Sequence, residues 1–348
     1  MSKNPYIEIS GRRIGSDYPP FVISEIGINH EGDFDKAARM VNDAKEAGAD
    51  CVKFQCHVVE DEMAPEAKKI VPAHAGESIW DIMVRCSFGE EAERQLKKMV
   101  EEAGMIYLST PFSRAAADRL EKMGVPAYKI GSGECNNYPL IKHIAGFKKP
   151  MILSTGMNDI GSIKKSVKIL REAKLPYALL HCTSMYPTPY GKVRLGALGE
   201  LGREFSDAVI GLSDHSLGIY TCLGAVSLGA SILEKHFTSD KTWPGPDISL
   251  SIDPKELREL VAGSRAIFSA LGGKKEILVE EKGIIDFAYA CVVTIRDIKA
   301  GEQFGPDNIW VKRPGTGDIK AAEYETLFGK TVVRDLPADV QVKRSDVA

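Results

Sequence analysis

The sequence predicts an α/β protein, a (β/α)8 TIM barrel over residues 1–275 followed by a small β module, and three observations carry that reading. Short apolar runs recur eight times, stretches with helical spacing separate them, and the pattern changes after a charged linker. Eight strands alternating with helices over about 250 residues suit a closed parallel barrel better than an open doubly wound sheet. No GxGxxG or Walker sequence competes.

In chain order the runs are FVISEIG (21–27), ADCVKFQ (49–55), MIYLST (105–110), AYKIGS (127–132), PMILST (150–155), YALLHCT (177–183), AVIGLSD (208–214) and ASILEKHF (230–237). After the first, DFDKAARMVNDAKEAGAD places Ala37, Met40, Val41 and Ala44 at i, i+3, i+4 and i+7, with Gly48 as a stop. The closing helix, DPKELRELVAGSRAIFSALGG, starts with Asp253 as N-cap, Pro254 in the first turn and Glu256 three residues past the cap. Its predicted buried face is Leu257, Leu260, Val261, Ser264 and Leu271. Residues 276–287 read as a linker, and 288–348 as a separate module without a helical run of barrel length.

Composition excludes several classes. The 348 residues are 44% hydrophobic and 27% charged, and 45 basic against 48 acidic residues give a net charge of -3 without long single-sign blocks. Neither a nucleic-acid surface nor a polybasic membrane anchor is expected. No window approaches the roughly 18 apolar residues of a membrane span, and MSKNPYIEISGRRIG lacks a signal-peptide core, so a cytoplasmic location is expected. The seven cysteines are scattered and never form CxxC, which points to reduced thiols that serve mostly as small core residues.

Barrel active sites form at the C-terminal ends of the strands, where the loops converge. Here every run ends polar: Glu25; Lys53 and Gln55; Ser109 and Thr110; Lys129 and Ser132; Ser154 and Thr155; His181 and Thr183; Ser213 and His215; Glu234 and His236. Lysine inside the apolar contexts VKF and YKI is costly unless an anion meets it, so Lys53 and Lys129, with the nearby hydroxyls, read as a phosphate and carboxylate cradle. His215 and His236 stand at equivalent positions of the last two strands, where two imidazoles can bind one divalent cation. His143 and His181 read instead as hydrogen-bonded structural residues. These parts leave carbon–carbon bond formation, phosphoryl chemistry and metal-assisted hydrolysis open.

The motifs SEIGINHEGD (24–33), VKFQ (52–55), YKIGSGECNNYPLI (128–141), LSTGM (153–157), CTSMYPTPY (182–190), GLSDHS (211–216), LEKHFT (233–238) and GPDISLS (245–251) resemble, in order and spacing, those of bacterial N-acetylneuraminate (sialic acid) synthases. The resemblance implies condensation of phosphoenolpyruvate with N-acetylmannosamine, with release of phosphate and help from a divalent metal, Mn2+ by preference and Mg2+ or Co2+ as alternatives. It places Lys53, Thr110, Lys129, Ser132, Ser154 and Ser213 on phosphoenolpyruvate and His215 and His236 on the metal. Glu25, Gln55, Phe112, Ser184, Tyr186 and Asp247 fall around the sugar, and Glu134 on proton transfer, with Glu25 and Glu234 also counted as catalytic.

The C-terminal pattern, RDIKAGEQFGPDNIWVKRPGTGD followed by LFGKTVVRDLPADVQVKRSDV, resembles the small β-clip (antifreeze-like, SAF) domain that ends these synthases. By that resemblance the Pro- and Gly-framed loop carrying Arg313, together with Phe287, reaches substrate in the partner's barrel within a domain-swapped homodimer. The chain departs from the family pattern at Ser184 and Trp243, where Asn and Arg are commoner, which points to an altered contact or to the diacetamido hexose of legionaminic acid synthases. A synthase acting on a phosphorylated sugar would need extra Arg or Lys at the mouth, and the strand ends show no such surplus. An ice- or sugar-binding protein, the non-enzymatic alternative, is opposed by the complete barrel site and by Lys299, Glu302, Lys312 and Arg313 in the small module.

Overall fold

The computed structural model describes residues 4–71 and 76–348, which divide into two units meeting at Gly272 and Gly273. A hairpin of β1 (Tyr6–Ile9) and β2 (Arg12–Gly15) precedes eight parallel strands, β3 (Phe21–Gly27), β4 (Cys51–Cys56), β5 (Ile106–Pro111), β6 (Tyr128–Ile130), β7 (Met151–Ser154), β8 (Tyr177–Cys182), β9 (Val209–Asp214) and β10 (Ile232–His236). Each falls within one residue of a predicted run or inside it. Their order in the sheet, β5-β4-β3-β10-β9-β8-β7-β6, is that of a sequentially wound barrel, in which the first strand pairs with the last. That pairing sets Glu25 beside His236, and the next sets Glu25 beside Lys53.

Strand alternation sorts the side chains into two populations. One parity, including Phe21, Ile23, Cys51, Leu108, Ala127, Ile152, Ala178, Leu180, Val209 and Ile232, fills the barrel interior in one buried cluster with Ile7, Ile9 and Ile14 of the hairpin. The other packs on the helices: Val22, Val52, Phe54, Tyr107, Leu179, Leu212 and Leu233 share a cluster with Ala37, Met40, Val41, Ala44, Leu257, Leu260 and Val261. Continuing the inward parity past the apolar layers leads to the mouth.

The first helix runs Phe34–Ala47 behind an Asp33 cap and stops at Gly48, whose left-handed φ of 84° suits glycine. The last barrel helix, Pro254–Ala270, has the predicted capping box, Asp253 accepting from the Glu256 amide and Glu256 accepting from the Asp253 amide. Leu271, expected on its buried face, lies past the helix end and is exposed. All seven cysteines are free and buried.

The second unit pairs β11 (Cys291–Thr294) antiparallel with β12 (Ile309–Lys312) around a core of Val292, Ile298, Phe304, Ile309, Ile319, Leu327, Val332, Leu336 and Val342. The stretch read as a linker is not featureless: a 3-10 turn, Val279–Glu281, and a helix, Lys282–Ala288, belong to this unit and leave Ile284 and Phe287 exposed. Among the described residues no helix is long and apolar enough to cross a membrane.

Candidate active site

The inward residues at the strand ends meet in a cavity of about 330 Å³. Every barrel strand contributes: Glu25 from β3, Lys53 and Gln55 from β4, Thr110 from β5, Lys129 from β6, Ser154 from β7, Cys182 from β8, Ser213 from β9, and Glu234 and His236 from β10. The loops add Phe112, Ser132, Glu134, Ser184, Tyr186 and His215.

Two buried ammonium groups and one carboxylate form the floor. Lys129 Nζ lies 2.7 Å from Ser154 Oγ and 3.2 Å from Glu234 Oε1, which also accepts from Ser213 Oγ at 2.8 Å. Lys53 Nζ lies 2.7 Å from Glu25 Oε2, 3.2 Å from Thr110 Oγ1 and 3.9 Å from Glu234 Oε2. The anion that meets the two lysines here is thus the protein's own. Burial alone would raise the Glu234 carboxyl, but Lys129 and Lys53 outweigh it and hold it at about 2. Glu25 goes the other way, raised by burial to about 7 against the pull of Lys53. With Glu234 ionised and Glu25 titrating near neutrality, two cations face little more than one anion, so the floor attracts a further negative group.

The rim is aromatic and imidazole. The His215 and His236 rings stand 5.4 Å apart, and Tyr186 stacks on His215 at 4.2 Å while presenting its edge to His236. His215 Nδ1 is 3.0 Å from the Thr183 carbonyl, an acceptor, so in the neutral ring that nitrogen carries the proton and Nε2 keeps its lone pair. His236 is pushed well below the usual imidazole range by burial and by His215, and its buried Nδ1 has no hydrogen-bond partner, with the Asp247 carboxylate 3.5 Å away. His215 moves the other way, raised above the usual imidazole range by Cys182 and the Thr183 carbonyl against the effect of burial, so a divalent cation held by the two rings would displace a proton from its Nε2. Among the described residues no group of three or more His, Cys, Asp or Glu side chains is arranged to hold one, so any remaining ligands would be substrate oxygens or water.

Glu134, on a 3-10 turn after β6, is raised by burial and by Glu62 to about 7, and its Oε2 has no hydrogen-bond partner. A carboxyl titrating near neutrality exchanges protons in either direction. Gly156 backs this side of the mouth: a Cβ there would come within 2.4 Å of Ser184 Oγ and 2.8 Å of Ser132 Oγ, so any side chain would displace two hydroxyls that line the cavity.

The NeuB family matches residues 40–276, and the SAF domain matches residues 289–348. The chain belongs to the NeuB family. It is similar to the N,N'-diacetyllegionaminic acid synthase of Campylobacter jejuni, 36% identical over 92% of this chain and 98% of that one. It is likewise similar to human N-acetylneuraminate-9-phosphate synthase, 35% identical over 94% and 93% of the two chains. A crystal structure of N-acetylneuraminic acid (sialic acid) synthetase from Leptospira borgpetersenii in complex with citrate superposes with a TM-score of 0.74 at 33% identity, covering 81% of this chain and 95% of that one.

Within this NeuB barrel most of the residues singled out from sequence share the one cavity. Of those the resemblance placed at substrate, metal or proton transfer, three do not line it. Asp247 stands against His236, and Phe287 and Arg313 belong to the second unit, where the guanidinium lies 5.9 Å from the Phe287 ring centroid. Several polar strand ends face away from it: Thr155 Oγ1 donates to the Leu180 carbonyl, Thr183 Oγ1 to the Lys192 carbonyl, and His181 Nε2 to the Val193 carbonyl at 2.6 Å. His143 pairs with Asp118 at 2.7 Å. Trp243 faces Lys36 and Arg39 at 5.3 and 5.2 Å and is absent from the cavity wall. Sequence reasoning overlooked Cys182, Gly131, Gly133 and Met157. Cys182 was legible by alternation, since it shares its parity with Ala178 and Leu180, and its thiol lies 3.8 Å from His215 Nδ1.

Proposed function

We propose that this chain condenses phosphoenolpyruvate with an N-acetylated amino sugar, N-acetylmannosamine being the first choice, to give N-acetylneuraminate and phosphate. The observation that carries the reading is the buried Lys53 and Lys129 pair with its ring of hydroxyls, next to two imidazoles in the mouth of a NeuB barrel.

In this reading Lys53, Lys129, Thr110, Ser132, Ser154 and Ser213 hold the carboxylate and phosphate of phosphoenolpyruvate, while Glu234, fixed in its ionised form, keeps both ammonium groups in place. Glu25, Gln55, Phe112, Ser184 and Tyr186 face the acceptor. C3 of phosphoenolpyruvate attacks the aldehyde carbon of the open-chain sugar, and the aldehyde oxygen takes up a proton. Water adds at C2 and loses a proton, and the resulting tetrahedral species expels phosphate by C–O cleavage. Glu25 and Glu134, both poised near neutrality, are the groups that supply and remove these protons. A divalent metal on His215 and His236, manganese by preference, would supply Lewis-acid polarisation of the aldehyde. Phe287 and Arg313 are proposed to complete the acceptor pocket of the second protomer in a swapped homodimer.

Two features bear on the acceptor. Among the described residues Lys53 and Lys129 are the cavity's only Lys or Arg, and this reading commits both to phosphoenolpyruvate, which disfavours a phosphorylated sugar. Similarity to a diacetyllegionaminic acid synthase keeps a diacetamido hexose as the second reading. The test is product analysis after incubation with phosphoenolpyruvate, Mn2+ and a panel of free and phosphorylated amino sugars, with 18O in the bridging oxygen of phosphoenolpyruvate. C–O cleavage sends the label into phosphate; retention in the sugar acid, or no coupled product with any sugar, overturns the reading.

A further inference from the structure

Behind the Phe112 wall lies a buried histidine, paired with a half-buried carboxylate, to which the reaction above assigns no step. His57, one residue past β4, stacks face to face on Phe112 with centroids 4.6 Å apart and planes at 12°. Its Nδ1 is 2.7 Å from Glu62 Oε2, and its Nε2 is 3.1 Å from Gln55 Oε1. The other end of the Gln55 carboxamide, Nε2, donates to Glu25 Oε1 at 3.3 Å. An unbroken run therefore leads from Glu62 through His57 and Gln55 to Glu25 in the cavity.

Donor and acceptor chemistry fixes the protons along it. A carboxylate oxygen and a carboxamide oxygen both accept, so an imidazole that satisfies the two carries a proton on each nitrogen and takes Glu62 as its counter-ion. The alternative is a reversed Gln55, with Nε2 on His57 and Oε1 against Glu25, which sets two acceptors against each other whenever Glu25 is ionised. The orientation of the Gln55 carboxamide is thus set from outside the cavity.

We infer that His57 and Glu62 are a positioning pair that holds Gln55 with its NH2 turned to Glu25 and the cavity, ready to donate to an acceptor-sugar oxygen. Phe112, pressed by the His57 ring, is held by the same pair. The inference rests on the acceptor reading given above, and it gives His57 a role that packing alone does not need. Glu62 also lines a neighbouring open groove, so its replacement by the isosteric Gln does not cut into the hydrophobic core.

Glu62→Gln keeps an acceptor for Nδ1 but removes the counter-ion, so His57 loses its second proton and the carboxamide is released. The expected result is a rise of about tenfold in the acceptor KM, the scale of one hydrogen bond, with the phosphoenolpyruvate KM unchanged. A second readout needs no turnover: in 15N-histidine spectra of the resting full-length protein at neutral pH, the signal that disappears in His57→Gln should show two protonated nitrogens in the wild type and one in Glu62→Gln. A singly protonated His57 in the wild type, or an unchanged acceptor KM in Glu62→Gln, overturns the inference. Should the wild type couple no amino sugar at all, the acceptor reading is what fails, and the histidine spectra then decide alone whether the pair fixes Gln55.

Discussion

Replacing Lys129 by Met tests the anion cradle and the ion-pair floor together. Lys129 is buried, donates to Ser154 and lies 3.2 Å from Glu234. Two consequences follow, of different size and pH dependence. Phosphoenolpyruvate loses one charge-assisted contact, worth about 1.5 to 3 kcal/mol, a weakening of roughly ten- to a hundredfold. The fold loses part of what keeps Glu234 ionised. Glu234 is held at about 2 instead of the usual 4.5, which corresponds to about 3 kcal/mol at neutral pH shared between Lys129 and Lys53. Loss of Lys129 should cost about 2 kcal/mol of that, or roughly 4–8 °C in melting temperature for a domain of this size. Because the folded carboxyl titrates below the unfolded one, this contribution is present above the ordinary carboxyl range and fades as pH falls toward about 2. The deficit of the variant should therefore narrow in acid, and adding Glu234→Gln should recover much of it, since the stranded charge is removed. Calorimetric titration with phosphoenolpyruvate and thermal denaturation at several pH values measure the two effects separately. Unchanged phosphoenolpyruvate affinity in Lys129→Met refutes the cradle, and a deficit that persists unaltered in the double variant refutes the electrostatic account of Glu234.

Four further outcomes are expected. His215→Ala or His236→Ala should abolish metal-dependent turnover while leaving the circular dichroism and melting of the barrel near wild type; full wild-type activity in rigorously chelated buffer would count against the metal pair. Glu134→Gln should remove an inflection near pH 7 from the kcat/KM profile. Because the folded Glu134 carboxyl titrates above its unfolded value, ionising it costs stability as pH rises through about 7, so Glu134→Gln should melt higher than wild type at pH 8, by the equivalent of up to about 3 kcal/mol, and no higher at pH 4. Arg313→Ala should bind metal normally but use the sugar poorly, and mixing it with His236→Ala should restore activity after subunit exchange if the arginine acts in the partner's cavity; persistent inactivity despite verified exchange argues for action within one chain.

The barrel was legible because its signal is redundant: eight apolar runs separated by stretches of helical spacing, and all eight appear as strands at or within a residue of the predicted positions. The small module was harder to read. Two regular strands and isolated bridges hold it, so no long periodic run announces it, and its N-terminal helix was read as linker because Lys282–Ala288 buries no residue. Leu271 was misplaced for a related reason: period alone extends a helix past the point where the chain leaves the core.

Within the site, residue type was a weaker guide than parity. Six residues at the ends of the second, fifth and sixth barrel strands, Lys53, Gln55, Ser154, Thr155, His181 and Thr183, look alike as polar terminators, yet alternation turns some into the cavity and others into hydrogen bonds with the surrounding backbone. The stretch EKH shows the rule most sharply. Glu234 and His236 point inward, one to the lysines and one to the rim, whereas Lys235 between them points outward and is fully buried against Asp214 at 2.7 Å. Asp214 accepts in addition from Ser216 and Thr221, so the outer pair is a satisfied structural network that anchors the ends of β9 and β10. Because Asp214 directly precedes His215 and Lys235 directly precedes His236, that anchor fixes the backbone carrying both imidazoles. Three adjacent titratable residues thus divide between two jobs, and the one that never faces the cavity holds in register the two that do.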